Sequence, residues 1–155
     1  MLLRARVILP ISKPPIENGA ISITGNRIQS VGKWKDLSRK RGEVIDLGEV
    51  ILLPGLVNAH CHLDYTDMAG QFPPPKTFTD WIKLITTGKG TWDYSEFAIS
   101  WLNGAKMLLR TGTTTVGDIE AIPELLPEVW SSTPLRVFSF LEMTGVKRRR
   151  AAEEI

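Results

Sequence analysis

Hydrophobic and polar positions divide the chain into a β-rich beginning and a later part in which strands and helices alternate. In the beginning, short apolar and β-branched runs predict strands over residues 3–9, 20–24, 43–48 and 50–53. The Gly25-Asn26 pair separates two apolar runs and predicts a hairpin over residues 19–32. The polar residues 33–42 are expected to lead to the next strand with one helical turn. We therefore predict a β-rich segment over residues 1–53.

From residue 54 onward, β-branched runs alternate with amphipathic segments. Strands are predicted at residues 57–62, 113–119 and 135–141, and helices at residues 79–88, 93–111, 123–130 and from 147. Thr79 is expected to cap the first of these helices, and Asp93 with Glu96 has the spacing of a capping box for the second. Strands separated by helices form a parallel sheet with right-handed crossovers. The predicted fold class is α/β, with a second domain over residues 54–155.

Composition and charge exclude several classes of function. The 155 residues are 43% hydrophobic and 23% charged, and 19 basic against 17 acidic residues leave a net charge of +2. This balance argues against a nucleic-acid or membrane partner, and no apolar run reaches the roughly 18 residues that a membrane span needs. The single cysteine rules out an intrachain disulfide, and the arginines among the first residues do not fit a signal peptide, so a cytoplasmic protein is expected. The basic run Lys147–Arg150 is interpreted as a solvated helix face, because Glu153 and Glu154 follow it at helical spacing.

His60 and His62 are the only two histidines in the chain. On a β-strand, side chains two residues apart share a face, so both imidazoles could bind one metal ion while Cys61 points the other way. Histidines also occur as partly buried residues of ordinary sheets, and the spacing alone leaves both interpretations open. The Pro54-Gly55 turn and the apolar run after it place the pair at the carboxyl end of a buried strand. In α/β barrels this end of the strands carries the chemistry.

Three stretches of the chain resemble a known family. Residues 53–63 are LPGLVNAHCHL, residues 112–118 are GTTTVGD, and the β-rich beginning ends in residues 44–48, VIDLG. Together they resemble the amidohydrolase superfamily, in its cytosine deaminase-like and chlorohydrolase-like branch. The resemblance implies a (β/α)8 TIM-type barrel with a small β-sandwich built from both chain ends. It also implies that His60 and His62, on the first barrel strand, bind a divalent metal ion, with zinc as first choice and iron or nickel as alternatives.

The activity implied by the resemblance is deaminase-like hydrolysis of carbon–nitrogen bonds other than peptide bonds, by a metal-activated water. The expected substrate is a small molecule, an amine-bearing heterocycle. The full-length protein could form a homo-oligomer.

The length of the chain limits what it does alone. About 100 residues follow the β-rich segment, enough for about three of the eight βα units of the barrel. The family's remaining metal ligands and acid–base residues lie on later strands, so the catalytic residues are unknown here. We therefore expect an N-terminal fragment that is inactive by itself. The alternative is a non-catalytic chain that keeps the front of the barrel for assembly or binding, with vestigial metal ligands.

Four further residues are candidates for the site, each with an ordinary structural alternative. Asp64 follows the histidines directly and would contact substrate from the first βα loop, or be solvated at the surface. Asp118 ends the second predicted barrel strand and would orient a ligand histidine, or bond a loop or helix end. Trp81 would wall the substrate pocket, or lie in the core. Glu142 follows the third strand and is a candidate acid by position.

Overall fold

A computed structural model describes residues 1–40 and 42–142 of the chain. The fold divides into two compact units, Met1–Pro54 and a second unit that begins at Gly55. The helix predicted from residue 147 and its basic run Lys147–Arg150 lie outside the described residues. No helix in the described part is long and apolar enough to cross a membrane.

The first unit is a five-stranded sheet. Its strands are β1 (Leu2–Ile8), β2 (Ile16–Thr24), β3 (Arg27–Lys33), β4 (Val44–Asp46) and β5 (Ile51–Leu52), and one helical turn, α1 (Trp34–Leu37), follows β3. β2 and β3 form the predicted hairpin, because Gly25 takes the positive φ of 57° that the tight turn requires. β1 pairs antiparallel with β2 and parallel with β4 and β5. Leu2, Ala20 and Leu37 form a small core between this sheet and α1.

The second unit is a three-stranded parallel sheet with helices between its strands. In chain order it contains β6 (Leu56–Cys61), a 3-10 helix (Leu63–Met68), α2 (Phe78–Lys89), α3 (Tyr94–Arg110), β7 (Thr113–Glu120), a second 3-10 helix (Pro123–Leu125), α4 (Leu126–Ser131) and β8 (Arg136–Leu141). The strand order β6-β7-β8 adds each strand beside the previous one. This alternation confirms the predicted α/β class. In a parallel sheet the carboxyl ends of the strands lie at one edge, and binding sites form there.

α3 is the longest helix of the second unit, and its start and its apolar face follow from the sequence. Asp93 accepts a hydrogen bond from the Glu96 amide, and the Glu96 carboxylate accepts one from the Asp93 amide, which confirms the predicted capping box. Trp101 is completely buried. The core around it includes Leu63, Phe97, Ala105, Leu108, Val116, Leu125 and Val129. α3 therefore holds the segment after β6 against the sheet.

α2 differs from its prediction at its start. Its N-cap is Thr77, whose hydroxyl oxygen accepts a hydrogen bond from the amide three residues later at 3.1 Å, so the expected cap at Thr79 is wrong. Thr79 already lies in the first helical turn. The helix ends at Lys89 with Gly90 as its C-cap, which agrees with the predicted end near Gly88. A Cβ at Gly88 would lie 2.5 Å from the Phe72 ring, so this glycine allows close packing. The helix predicted over residues 123–130 is divided into a 3-10 turn and α4.

Candidate metal centre

His60 and His62 lie at the carboxyl end of β6. His60 is exposed within the strand, and His62 follows the strand and precedes the first 3-10 helix. The imidazole centroids are 5.6 Å apart, and the ring planes make an angle of 70°. Cys61 packs instead against the hydrophobic core, as alternation along a strand requires. The two rings are therefore close enough to approach a single ligand.

The two imidazoles fit the ligand chemistry of a divalent transition metal. Burial lowers the pKa of His62, and this favours the neutral ring that binds metal ions. The Nδ1 atom of His62 is buried and has no hydrogen-bond partner among the described residues. Within residues 1–40 and 42–142, no group of three or more His, Cys, Asp or Glu side chains is placed to hold a metal ion. The described part of the chain thus offers a pair of candidate ligands.

A cavity of about 480 Å³ opens beside the histidines. Its lining combines His60 and His62 with Tyr65, Glu142 and one face of α2, namely Phe78, Trp81, Ile82, Ile85, Thr86 and Lys89. Trp81 is 36% exposed and stacks against Phe78, with ring centroids 5.6 Å apart. Trp81 therefore lies on the wall of this cavity and not in the hydrophobic core, and a contact to substrate stays a prediction.

Asp118 lies near His62 but does not bond it. Its side chain is completely buried, and its two oxygens accept hydrogen bonds from the Leu63 amide at 2.9 Å and from Trp101 Nε1 at 2.8 Å. In the parallel pairing of β6 and β7, Asp118 is the register partner of Cys61, so it shares the face of Cys61 and not that of the histidines. Of the alternatives for this residue, the structure shows the bond to a helix end, here the first residue of the 3-10 helix that begins at Leu63. Asp118 thereby anchors the backbone directly after His62.

Asp64 and Glu120 form a second group of buried carboxylates. The Asp64 side chain has 0% of its surface exposed, which makes the alternative of a solvated surface residue wrong. Burial, and then repulsion from Glu120, raises the pKa of Asp64 to about 8. Glu120 accepts a hydrogen bond from the Ile122 amide, and burial raises its pKa to about 7. Sequence analysis missed Glu120, although it continues the Val116, Asp118 alternation on β7.

Lys89 is a charged residue of the cavity that sequence analysis missed. Its Nζ donates a hydrogen bond to the Tyr65 hydroxyl at 2.6 Å and lies 3.6 Å from the Glu142 carboxylate. Glu142 in turn accepts a hydrogen bond from Tyr65 at 3.1 Å, which brings this predicted residue into the cavity. The signal that could have located Lys89 is its spacing of eight residues, or two helical steps of four, from Trp81.

The fold and the site define an α/β protein with its candidate centre at the carboxyl edge of a parallel sheet. The chain belongs to the amidohydrolase family, because the model of that family matches residues 51–137, which include both histidines. This match confirms the resemblance on which the histidine pair was first assigned.

Two curated relatives show how much of such a protein this chain represents. A 5-methylthioadenosine/S-adenosylhomocysteine deaminase of Nitratidesulfovibrio vulgaris is 33% identical over 123 residues, which are 77% of this chain and 26% of that protein. A 5'-deoxyadenosine deaminase of Methanocaldococcus jannaschii is 30% identical over 137 residues, which are 83% of this chain and 31% of that protein. The chain spans about a quarter to a third of the length of these relatives.

Solved structures have the same fold over nearly the whole chain. Atrazine chlorohydrolase TrzN from Arthrobacter aurescens TC1, complexed with zinc, superposes with a TM-score of 0.79 at 24% identity, over 94% of this chain and 36% of that chain. Guanine deaminase of E. coli superposes with a TM-score of 0.72 at 20% identity, over 89% of this chain and 35% of that chain. At these identities the likeness shows the fold.

Proposed function

We propose that this chain is the front part of a metal-dependent hydrolase of non-peptide carbon–nitrogen bonds, with His60 and His62 as two of its metal ligands. The observation that carries the proposal is the pair of imidazoles, 5.6 Å apart, beside one cavity in a chain of the amidohydrolase family. Zinc is the first choice for the ion, with iron or nickel as alternatives. The two histidines would hold the ion, which when bound would polarise a water molecule for attack on carbon.

The cavity supports a small, planar substrate, which we propose to be an amine-bearing heterocycle. Phe78 and Trp81 offer stacked aromatic surface on one wall, while Lys89 and Glu142 supply polar groups. The names of the relatives, deaminases of adenosine derivatives and of guanine, support the same class. Acid–base residues and further ligands are proposed to lie outside these 155 residues, on later strands of a (β/α)8 barrel. The cytoplasmic location and the homo-oligomer stay predictions.

Zinc titration of the 155-residue chain tests the ligand assignment. We expect binding by isothermal titration calorimetry that His60→Ala or His62→Ala weakens at least tenfold, because either change removes one of two imidazole ligands. Cys61→Ala is the matched control, since it lies between the histidines but packs in the core, and it should leave the zinc affinity unchanged.

The result also separates the proposal from its alternative. If zinc neither binds nor raises the melting temperature, and His60→Ala behaves as the unaltered chain, the histidine pair is idle in this chain, and the result favours the non-catalytic alternative. Ammonia release from 5'-deoxyadenosine is expected to be absent for this chain and present for a longer protein that adds the later strands.

A further inference from the structure

Tyr65 stacks directly on the candidate ligand His62. Their ring centroids are 4.8 Å apart, and the ring planes differ by 10°, so the rings are nearly parallel. No other aromatic pair in the described residues joins a candidate ligand to a neighbour, apart from the two histidines themselves. Tyr65 belongs to the 3-10 helix after β6, three residues beyond His62. The stack therefore joins the end of the strand to the element that follows it.

The hydroxyl of Tyr65 is held from two sides. It donates a hydrogen bond to Glu142 Oε2 at 3.1 Å and accepts one from Lys89 Nζ at 2.6 Å. Lys89 also lies 3.6 Å from the same Glu142 oxygen, and the side chains of the pair are only 19% and 30% exposed. Charge-assisted hydrogen bonds in such partly buried positions are stronger than neutral ones. The tip of the Tyr65 ring is therefore fixed by the end of α2 and by the residue after β8.

His62 lacks the contact that usually orients a metal-binding histidine. In most such residues the ring nitrogen opposite the metal donates to a carboxylate or carbonyl oxygen, and that bond sets the plane of the imidazole. With Nε2 as the metal-binding atom, Nδ1 of His62 is the opposite nitrogen, and it is buried without any such partner among residues 1–40 and 42–142. Asp118, the residue predicted to orient a ligand histidine, uses both oxygens on Leu63 and Trp101. The parallel ring of Tyr65 is the contact that remains.

We propose that Tyr65 is a positioning residue for His62: its ring fixes the plane of the imidazole, and Lys89 with Glu142 fixes the ring through its hydroxyl. The inference rests on the proposed function, in which His62 is a metal ligand. Beyond that function, the inference states that stacking on Tyr65 sets the orientation of the His62 ring. Lys89 at the end of α2 and Glu142 after β8 then influence the metal centre by holding Tyr65. In this role Tyr65 acts on the metal centre through His62, although its side chain also lines the cavity.

Two substitutions distinguish the contribution of the Tyr65 ring from that of the hydrogen bonds to its hydroxyl. Tyr65→Leu removes the ring, and Tyr65→Phe keeps the ring but removes both hydrogen bonds. The chain contains only one other tyrosine, Tyr94, whose hydroxyl donates to the Glu124 carbonyl oxygen on another part of the second unit. Tyr94→Leu and Tyr94→Phe are therefore matched controls.

The first readout needs no metal. With ¹⁵N-labelled histidine, the chain gives NMR signals from only two imidazoles, so His60 serves as an internal reference. We expect Tyr65→Leu to move the His62 ring-proton signals downfield, because the shielding by a parallel aromatic ring is lost. The His60 signals should move less, and both Tyr94 variants should leave His62 unchanged. Unchanged His62 signals in a folded Tyr65→Leu chain would overturn the inference.

The second readout is zinc affinity. Loss of the residues that orient a metal ligand typically costs 10–100-fold in affinity, so we expect a loss of at least about tenfold for Tyr65→Leu and about threefold for Tyr65→Phe. If the unaltered chain binds zinc and folded Tyr65→Leu binds within about twofold of it, the inference fails while the proposed function stands. If the unaltered chain does not bind zinc but the His62 signals respond to Tyr65→Leu, the proposed function fails and the positioning of His62 stands.

If Tyr65→Leu does not fold, Tyr65→Phe tests the inference in its place. Phenylalanine fills the same space, so folding should be preserved. A Tyr65→Phe chain with unaltered His62 signals and unaltered zinc affinity would overturn the role of the hydroxyl. A moderate loss of affinity, reproduced by Lys89→Met, would support it.

Discussion

At the scale of single residues, Glu120 shows how a buried carboxylate couples stability to pH. Burial raises its pKa to about 7, above the value near 4.3 of an exposed glutamate. The folded state therefore binds the proton more tightly than the unfolded state, so stability is full below about pH 4 and falls as the pH rises towards 7. We expect Glu120→Gln to remove this dependence and to raise the free energy of unfolding at pH 8 by about 1–3 kcal/mol.

Urea unfolding at pH 5 and at pH 8 measures the difference. Near pH 5 the two chains should have similar stability, because glutamine resembles the protonated carboxyl group. The control is Glu128→Gln, an exposed position on α4 that should not change the pH dependence. Asp64, with a pKa near 8, leaves some pH dependence in both chains. The prediction would be contradicted if the unaltered chain and Glu120→Gln lost the same free energy of unfolding from pH 5 to pH 8.

The candidate site could be predicted where the determining pattern is local. His60 and His62 could be assigned to one side of a strand end because alternation with a period of two needs no information from other strands. Asp118 could not be assigned, because its surroundings depend on the register of β7 against β6, where Cys61 is its partner across an irregularity in the pairing. Such a register is set by contacts between distant segments, which spacing along one strand does not reveal.

At the scale of elements, α3 packs closely against the 3-10 helix after β6 at Gly104. A Cβ there would overlap the Thr66 hydroxyl and lie 3.0 Å from Leu63 Cδ2 and 3.3 Å from the Leu63 carbonyl oxygen. Alanine favours a helix over glycine by about 1 kcal/mol, but overpacking typically costs about 1–3 kcal/mol. Because a backbone oxygen is among the obstructing atoms, we expect Gly104→Ala to destabilise the chain by about 1–2 kcal/mol.

Thermal and urea unfolding test this expectation against Lys106→Ala. That residue is exposed on the same helix, so its replacement should change stability by no more than about 0.5 kcal/mol. If Gly104→Ala instead stabilises the chain, the gain in helix propensity outweighs the cost of overpacking, and α3 and the 3-10 helix have room for the added methyl group.

The helices and strands that could be predicted from the sequence are those whose start or turn is determined by residues close together in the chain. The hairpin of β2 and β3 depends on the turn at Gly25, and α3 on the reciprocal bonds of Asp93 and Glu96, both within four residues. For α2, the two threonines Thr77 and Thr79 are equally suitable caps in composition. The choice between them follows from where the chain leaves the proline-rich loop in an extended conformation, at Thr77.

At the scale of the whole molecule, the described helices of the second unit, up to residue 142, pack on one face of its sheet. Asp118 and Val116 of β7 lie towards α3, where Asp118 bonds Trp101. Phe138 and Phe140 of β8 are the register partners of the intervening β7 residues and therefore share the opposite face. They are 59% and 58% exposed. An apolar face of this kind, on a sheet with open edges, is a surface for self-association.

We therefore expect the 155-residue chain to self-associate at micromolar concentration and to unfold without a sharp monomeric transition. Sedimentation velocity over a dilution series should show the association. Replacement of Phe138 and Phe140 together by threonine keeps β propensity while it removes the apolar rings, and should shift the chain towards monomer. Phe78→Thr is the control, because Phe78 is 75% exposed but belongs to α2 and not to a strand of the sheet. A monomeric, two-state unaltered chain would mean that the exposed face is stable in water and that the unit needs no further strands.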